Sequence, residues 1–321
     1  MDKKEQSLAV ARLYYESGRS QQDIAQDLGL SRPTVSRLLH YAREQGFVEI
    51  TIHDPAESLQ RLAERMQRRY GLHRVYIAPA PMEELAEQEK AMGEKTAEFL
   101  SGIVQDGMTI GIAWGNVLYE MAKALRPRFL RDVRVVQLKG GMSLNQNSTH
   151  AYEILERVTQ AFGARGYYLP LPVMFDTVQV KNIVEEDRGI KNILDIGRQA
   201  DIAVFTVGAV QKESQLFHLG YYITDQEKAM LEEKAVGDVC SRFYDADGKI
   251  VDPSIDARTV GISLPELKRI PMRILAAGGR HKLRAIEAAL RGGLADVFIT
   301  DAFTARAILA HEKDTLSSPW G

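Results

Sequence analysis

The chain is poor in the residues that mark secreted or membrane proteins. It holds one cysteine, Cys240, in 321 residues, so no intrachain disulfide can form, and nothing at metal-ligand spacing stands near it. Such a thiol suits a reducing cytosol, where its expected place is as a small buried hydrophobe. No apolar run approaches the ~18 residues of a spanning helix, and the opening "MDKKEQSLAVARLYYESG" is too charged for a signal peptide. These absences predict a cytoplasmic protein with no membrane partner. Charge of one sign is lacking too: 41 Lys and Arg stand against 43 Asp and Glu. That excludes a globally basic nucleic-acid binder and leaves room for a locally basic one. The seven histidines are scattered; His150, His218 and His281 read as surface or satisfied side chains. No His/Asp or paired-carboxylate constellation recurs at recognisable spacing, so neither a catalytic residue nor a metal site is expected. Repeats and low-complexity segments are absent, and only the tail "KDTLSSPWG" reads as loosely ordered.

What the chain does have is length enough for two domains and two distinct patterns. From Ser7 to His53 it reads helix, helix, turn, helix, short strand. "SLAVARLYYES" is the first helix. Ser20 can cap the second, because Asp23 stands three residues on, ahead of an apolar face at Ile24, Ala25 and Leu28. Gly29 can reverse the chain and Ser31 can cap the third helix, "RPTVSRLLHYAREQ", with Pro33 in its first turn. Val35, Leu38, Leu39 and Ala42 make its core stripe, leaving Arg32, Thr34, Ser36, Arg37 and His40 on the other face. "FVEITIH" then alternates like the wing of a winged helix-turn-helix. Residues 28 to 43 hold three arginines and no acid, so Ser31, Arg32, Thr34, Ser36 and Arg37 are the candidate contacts to operator DNA in a major groove. A helical adapter for protein contacts would leave that polar face unexplained. Asp54-Pro55 closes the unit, giving a DNA-binding domain over 1–54 and a second domain over 55–321.

In the second domain apolar strands recur, most of them ending in glycine or a polar residue: "TIGIAWGN", "VRVVQLKGG", "DIAVFTVGAV", "RILAAGGRHK" and "VFITDAFT". Helical patterns separate them. Alternation of this kind predicts an α/β domain with a mainly parallel sheet covered on both faces. Ligands of such sheets bind at the carboxyl ends of the strands, where the glycine-bearing turns fall.

At this point the chain resembles the SorC family of sugar-sensing bacterial transcriptional regulators, from about residue 5 to 310. The likeness is carried by "ARLYYESGRSQQDIAQDLGLSRPTVSRLL", "GIAWGNVLYEMA", "VVQLKGGMS", "GYYLPLPVMFD", "LFHLGYY", "AVGDVCSRFYDADG" and "LAAGGRHKLRAIEAALRGG". It implies a winged helix-turn-helix joined to a Rossmann-like effector domain similar to sugar-phosphate isomerases. It also implies a repressor, dimeric or tetrameric, that leaves operator DNA when a phosphorylated sugar binds. Its nearest members imply deoxyribose 5-phosphate.

The residues suit such an effector. A phosphate needs close backbone approach and a cation, and "AGGRHK" offers Gly278, Gly279 and Lys282; the resemblance also puts a phosphate-holding lysine at Lys282. It assigns Asp238 to sugar hydroxyls. Arg242 either meets phosphate or pairs with Asp238 or Asp245. Gly111, Gly115 and Asn116 form another strand end, with Trp114 available to a sugar face. Phe175 and Asp176 are further lining candidates. Lys139, followed by Gly140, Gly141 and Ser143, leaves three readings open: a Schiff base with the open-chain aldehyde, as the resemblance implies, a non-covalent contact, or a strand-end lysine reaching solvent. The competing function is a sugar-phosphate isomerase or aldolase-like enzyme with an accessory DNA-binding domain.

Overall fold

The computed structural model describes residues 3–48, 59–142, 149–210 and 223–316. The chain divides into two compact units, residues 1–56 and 57–321.

The first unit is helical. Helix α1 (Lys3–Ala11) continues through a π-helical turn at Arg12–Glu16 and is followed by α2 (Gln21–Asp27) and α3 (Arg32–Glu44). The Ser20 hydroxyl accepts the Asp23 N–H at 3.2 Å and the Ser31 hydroxyl accepts the Thr34 N–H at 3.3 Å. Each cap satisfies a donor the helix itself leaves unpaired, an effect of about 1 kcal/mol over alanine. Gly29 takes φ +63 between α2 and α3, the left-handed backbone that reverses the chain there. Val35, Leu38, Leu39 and Ala42 are buried with Val10 and Ile24 in one small core. Of the expected wing, Phe47 and Val48 pack on that core; residues 49–53 lie outside the described residues.

The second unit holds a seven-stranded sheet and a three-stranded one. Its strands are β1 (Arg74–Ala78), β2 (Thr109–Ile112), β3 (Arg134–Gln137), β4 (Arg165–Tyr167), β5 (Ile202–Phe205), β6 (Val207–Ala209), β7 (Gly237–Val239), β8 (Arg242–Tyr244), β9 (Met272–Ala276) and β10 (Val297–Asp301). The large sheet runs β1-β10-β9-β5-β2-β3-β4, and every pair in it is parallel. β2 and β5 are buried along their whole length, as central strands with both faces covered must be. From β2 the chain winds outward through β3 and β4; from β5 it winds the other way through β9 and β10. The switch point therefore lies between the carboxyl ends of β2 and β5, where ligands of doubly wound sheets bind. The edge strands β1 and β4 did not show in the sequence pattern. β4 has only three residues, and the exposed or partly exposed positions of both strands blur the apolar signal.

The helices flanking these strands are α4 (Leu59–Tyr70), α5 (Leu85–Ile103), α6 (Asn116–Ala124), α7 (Ala151–Phe162), α8 (Val178–Glu185), α9 (Arg188–Arg198), α10 (Asp225–Lys234), α11 (Pro253–Arg258), α12 (Leu264–Leu267), α13 (Leu283–Arg291) and α14 (Ala302–Leu316). Helices α5 and α6 meet closely because Gly93 has no side chain: a Cβ there would stand 2.5 Å from the Glu120 Cβ and 2.7 Å from the Met121 nitrogen. That contact sets α6, and with it the turn after β2. The small antiparallel sheet runs β6-β7-β8 and follows directly on β5.

Candidate effector site

Turns after β2, β3 and β9 and the β7–β8 hairpin together supply the polar cluster. Lys139, just past β3, is 5% exposed. Its Nζ stands 3.5 Å over the Trp114 ring and donates to the Ser241 Oγ at 3.3 Å. Trp114 follows β2 and is itself buried, its Nε1 donating to the Gly140 carbonyl at 2.9 Å. An indole face favours a cation above it and its N–H pins the loop that carries that cation.

Asp238, in β7, is 4% exposed, and its Oδ2 accepts the Ser241 N–H at 3.0 Å. Its other oxygen occupies the place where a side chain at Gly208 would stand. The turn from β7 to β8 is two residues, Cys240 (φ +51) and Ser241 (φ +63). Hairpins of this type usually place asparagine or glycine at such angles, so two ordinary residues there store strain. That strained backbone brings Ser241 to both Lys139 and Asp238. Sequence reading passed over Ser241, because a Cys-Ser pair is no turn signal.

Burial pushes Lys139 below the usual lysine range, against the pull of Asp238 and Cys240. Burial likewise pushes the Asp238 carboxyl up, opposed by Lys139, the Ser241 N–H and Lys282. The buried Cys240 thiol, pushed up by burial to about 11, holds its proton at neutral pH and acts as the small hydrophobe expected of it. In a dry site each ion is disfavoured, so Lys139 is driven toward a neutral, nucleophilic amine.

Lys282 stands at the amino end of α13, after a short 3₁₀ turn at Arg280–Lys282. It is half-buried; burial lowers its pKa, with Glu89 and Asp238 opposing. Glu89 on α5 accepts from the Asn116 Nδ2 at 3.2 Å, and burial raises its carboxyl against the pull of Lys282 and Asn116. The sequence singled out Asn116 and Lys282 but gave no sign of Glu89, which sits within an ordinary charged helix. Gly279 takes φ +98, and its N–H donates to the Thr304 Oγ1 at 2.8 Å. Thr304 in turn bonds Asp301, a wholly buried carboxylate that also accepts from Gln88 at 3.0 Å. Asp301 sits 2.4 Å from where a Gly278 Cβ would be, so both glycines serve this internal network. Neither Gln88 nor Thr304 was singled out from the sequence.

Several sequence expectations change. Arg242 meets neither Asp238 nor Asp245. Its guanidinium pairs with Asp256 at 3.0 Å and also bonds that residue's carbonyl, the Gly261 carbonyl at 2.8 Å and the Ile262 carbonyl at 3.2 Å. At 4% exposure it clamps residues 256–262. Trp114 does not offer an open face to a sugar, because Lys139 covers it. The glycines expected to leave room for a ligand mostly leave room for protein. A Cβ at Gly111 would lie 2.5 Å from Leu138, one at Gly140 would lie 2.0 Å from the Pro172 carbonyl, and one at Gly141 would lie 2.5 Å from Ala151. Gly115 (φ +149) is no different: a Cβ there would lie 2.8 Å from the Thr206 methyl, across the switch point. Phe175 packs in a satellite cluster with Leu169, Leu171, Leu194 and Val260, and Asp176 is exposed. Ser143, and "LFHLGYY" with His218, lie outside the described residues.

The DNA-facing candidates form one exposed edge of α3. Ser31, Arg32, Ser36 and Arg37 are exposed and Thr34 is partly so. Thr34 Oγ1 sits 2.8 Å from the Ser31 hydroxyl and 3.5 Å from an Arg37 nitrogen, so the polar edge is loosely tied within itself. Among the described residues no three His, Cys, Asp or Glu side chains cluster as metal ligands, and no helix is long and apolar enough to cross a membrane.

A helix-turn-helix unit and a doubly wound sheet with a polar cluster at its switch point define a transcriptional regulator with a sugar-binding domain. Residues 54–310 match the Sugar-bind family of sugar-binding domains, and residues 4–49 match a homeodomain-like domain. The chain belongs to that Sugar-bind family, the SorC-type regulators. It is 44% identical over 311 residues to the deoxyribonucleoside regulator of Bacillus subtilis, covering 96% of this chain and 99% of that one. Among solved structures, the full-length sorbitol operon regulator SorC from Klebsiella pneumoniae matches with a TM-score of 0.73 at 26% identity, over 96% of this chain and 99% of that chain. A transcriptional regulator from Streptococcus pneumoniae matches with a TM-score of 0.74 at 25% identity, over 80% of this chain and 98% of its own.

Proposed function

We propose that this protein is an operator-binding repressor released from DNA by a phosphorylated sugar, deoxyribose 5-phosphate, captured as a Schiff base on Lys139. The observation that carries the reading is the Lys139 amine, buried at a strand end with its charge disfavoured and, among the described residues, bonded to the Ser241 hydroxyl and to no carboxylate. A lysine merely ending a strand would reach solvent; this one does not. Lys282 supplies the cation for the phosphate, Asp238 accepts sugar hydroxyls, and Asn116 lines the site from α6. The likeness to a deoxyribonucleoside regulator supports the choice of sugar.

The protein works in the cytoplasm as a dimer or tetramer, with Ser31, Arg32, Thr34, Ser36 and Arg37 reading the operator. A sugar can release DNA only by favouring one arrangement of the assembly, so sugar and operator weaken each other's binding reciprocally. Borohydride treatment with deoxyribose 5-phosphate should add one reduced sugar per chain by intact mass, and the same sugar should release operator where other pentose phosphates do not. An unchanged mass removes the covalent reading. Steady production of a new sugar phosphate or of cleavage products would instead favour the aldolase-like enzyme, whose chemistry also begins from a buried lysine amine.

A further inference from the structure

We propose that Asp238 is the proton donor for effector capture at Lys139, held in place for that step by Ser241. This rests on the covalent reading above and assigns a reacting group within it.

Imine formation has a requirement that the amine alone does not meet. The neutral Lys139 amine adds to the C1 aldehyde: a C–N bond forms, the carbonyl electron pair moves to oxygen, and a proton passes from nitrogen to that oxygen. The resulting carbinolamine must then lose its hydroxyl, and hydroxide leaves poorly without an acid. Bulk water is a poor source of that proton here, because Lys139 is 5%, Asp238 4% and Ser241 1% exposed. The proton has to come from the wall of the site.

The described groups around the amine narrow the choice. Trp114 presents a ring face and commits its N–H to Gly140. The Ser241 hydroxyl and the Cys240 thiol both hold their protons too tightly near neutral pH, the thiol being pushed up to about 11. Lys282 is the cation for the phosphate. Asp238 remains: Ser241 bonds its Oδ2 through the main-chain N–H and bonds Lys139 through its hydroxyl, so one strained residue spaces the acid and the amine. Burial keeps that carboxyl protonated higher in pH than an ordinary aspartate. The strain at Cys240 and Ser241 is then explained, since an Asn-Gly turn would close the hairpin without supplying the hydroxyl.

The step balances. The carboxylic acid gives its proton to the carbinolamine hydroxyl, the C–O bond breaks with its electron pair to release water, and the nitrogen lone pair completes the C=N bond. The products are an iminium cation and the Asp238 carboxylate, so the pair changes from neutral-neutral to ion pair with no net charge added to the buried site. On release the carboxylate takes the proton back from the water that adds to the iminium. No oxidant or reductant takes part.

The test uses the full-length protein with deoxyribose 5-phosphate and time-resolved borohydride trapping read by intact mass. Varying the sugar separates the first-order capture rate at saturation from the half-saturating concentration. The reduced sugar 2-deoxyribitol 5-phosphate, which has no aldehyde, reports non-covalent binding. Asp238→Asn, which can still accept the Ser241 N–H, should lower the saturated rate about a hundredfold or more, a larger loss than the weaker alditol binding that follows from its missing hydroxyl contact, and Asp238→Glu should recover part of the rate. A saturated rate in Asp238→Asn equal to wild type overturns the proposal and leaves covalent capture standing; a wild type that adds no sugar removes both. Should the variant not fold, the wild type decides alone. Asp238 is faced by Lys139, Lys282, Cys240 and Tyr244, and its loss of a proton should give the saturated rate a falling limb as pH rises. A rate that only climbs to a plateau overturns the assignment.

Discussion

Trp114 holds the start of the Lys139 turn twice: its ring lies 3.5 Å beneath the Lys139 Nζ, and its Nε1 donates to the neighbouring Gly140 carbonyl at 2.9 Å. One side chain from the end of β2 thus sets the position of an amine at the end of β3.

Trp114→Phe keeps an aromatic face and removes the N–H, leaving the buried Gly140 carbonyl short of a donor. The expected effect is about 1–2 kcal/mol, seen as roughly tenfold weaker effector binding by calorimetry. Unchanged affinity would mean that the main-chain bonds from Gly140 to the Val260 carbonyl and from Gly141 to the Leu171 carbonyl are enough to hold the loop.

Capture at Lys139 should show the pH dependence of a depressed lysine. An ordinary lysine, with a pKa near ~10.4, is neutral in fewer than about one molecule in a thousand at pH 7. Because burial lowers the Lys139 value, the amine loses its proton at lower pH. Trapping at pH 7 should therefore favour Lys139 over surface lysines and fade on acidification, as the protonated amine ceases to attack. The same depression means the unfolded chain binds the extra proton, so this residue's contribution makes stability rise with pH between the folded value and the unfolded one. Labelling at pH 7 that falls on surface lysines as often as on Lys139, read by peptide mapping, would contradict this.

Arg242 separates a structural clamp from a ligand contact. Removing it as Arg242→Ala frees Asp256 and three main-chain carbonyls from a buried guanidinium, and should cost about 2–4 kcal/mol in urea unfolding. Lysine should not restore it, since a single ammonium cannot span those acceptors. The fraction that remains folded should bind deoxyribose 5-phosphate as the wild type does. A loss of affinity without a loss of stability would return Arg242 to the phosphate site.

On α3, Arg37→Ala should weaken binding to operator DNA. If Arg37 meets a phosphate, fluorescence anisotropy across a salt series should show the slope of log affinity against log salt falling by about one. If it reads a guanine edge, discrimination at one base position should relax by about 1–3 kcal/mol instead. Wild-type affinity and slope together would remove it from the interface.

The helix-turn-helix, the central parallel strands and the glycine turns at their ends were legible from the residues themselves. They depend on local rules: a serine that caps, a proline that fits only a first turn, and β-branched runs that prefer an extended backbone. Lys139 and Asp238 could be singled out in the same way, as polar residues at strand ends and in a family motif. What the local rules cannot reach is which atoms meet. Lys139 and Ser241 are 102 residues apart and Trp114 and Gly140 are 26 apart. Only the order of the strands brings those pairs together. The same packing turned Arg242 inward to Asp256 and filled the space beside Gly111, Gly140 and Gly141 with protein. Residue type and spacing therefore determined the two units and the end of the sheet where the chemistry lies. The tertiary structure decided the contacts that make Lys139 a buried amine, because desolvation and hydrogen bonding act across the fold and not along the chain.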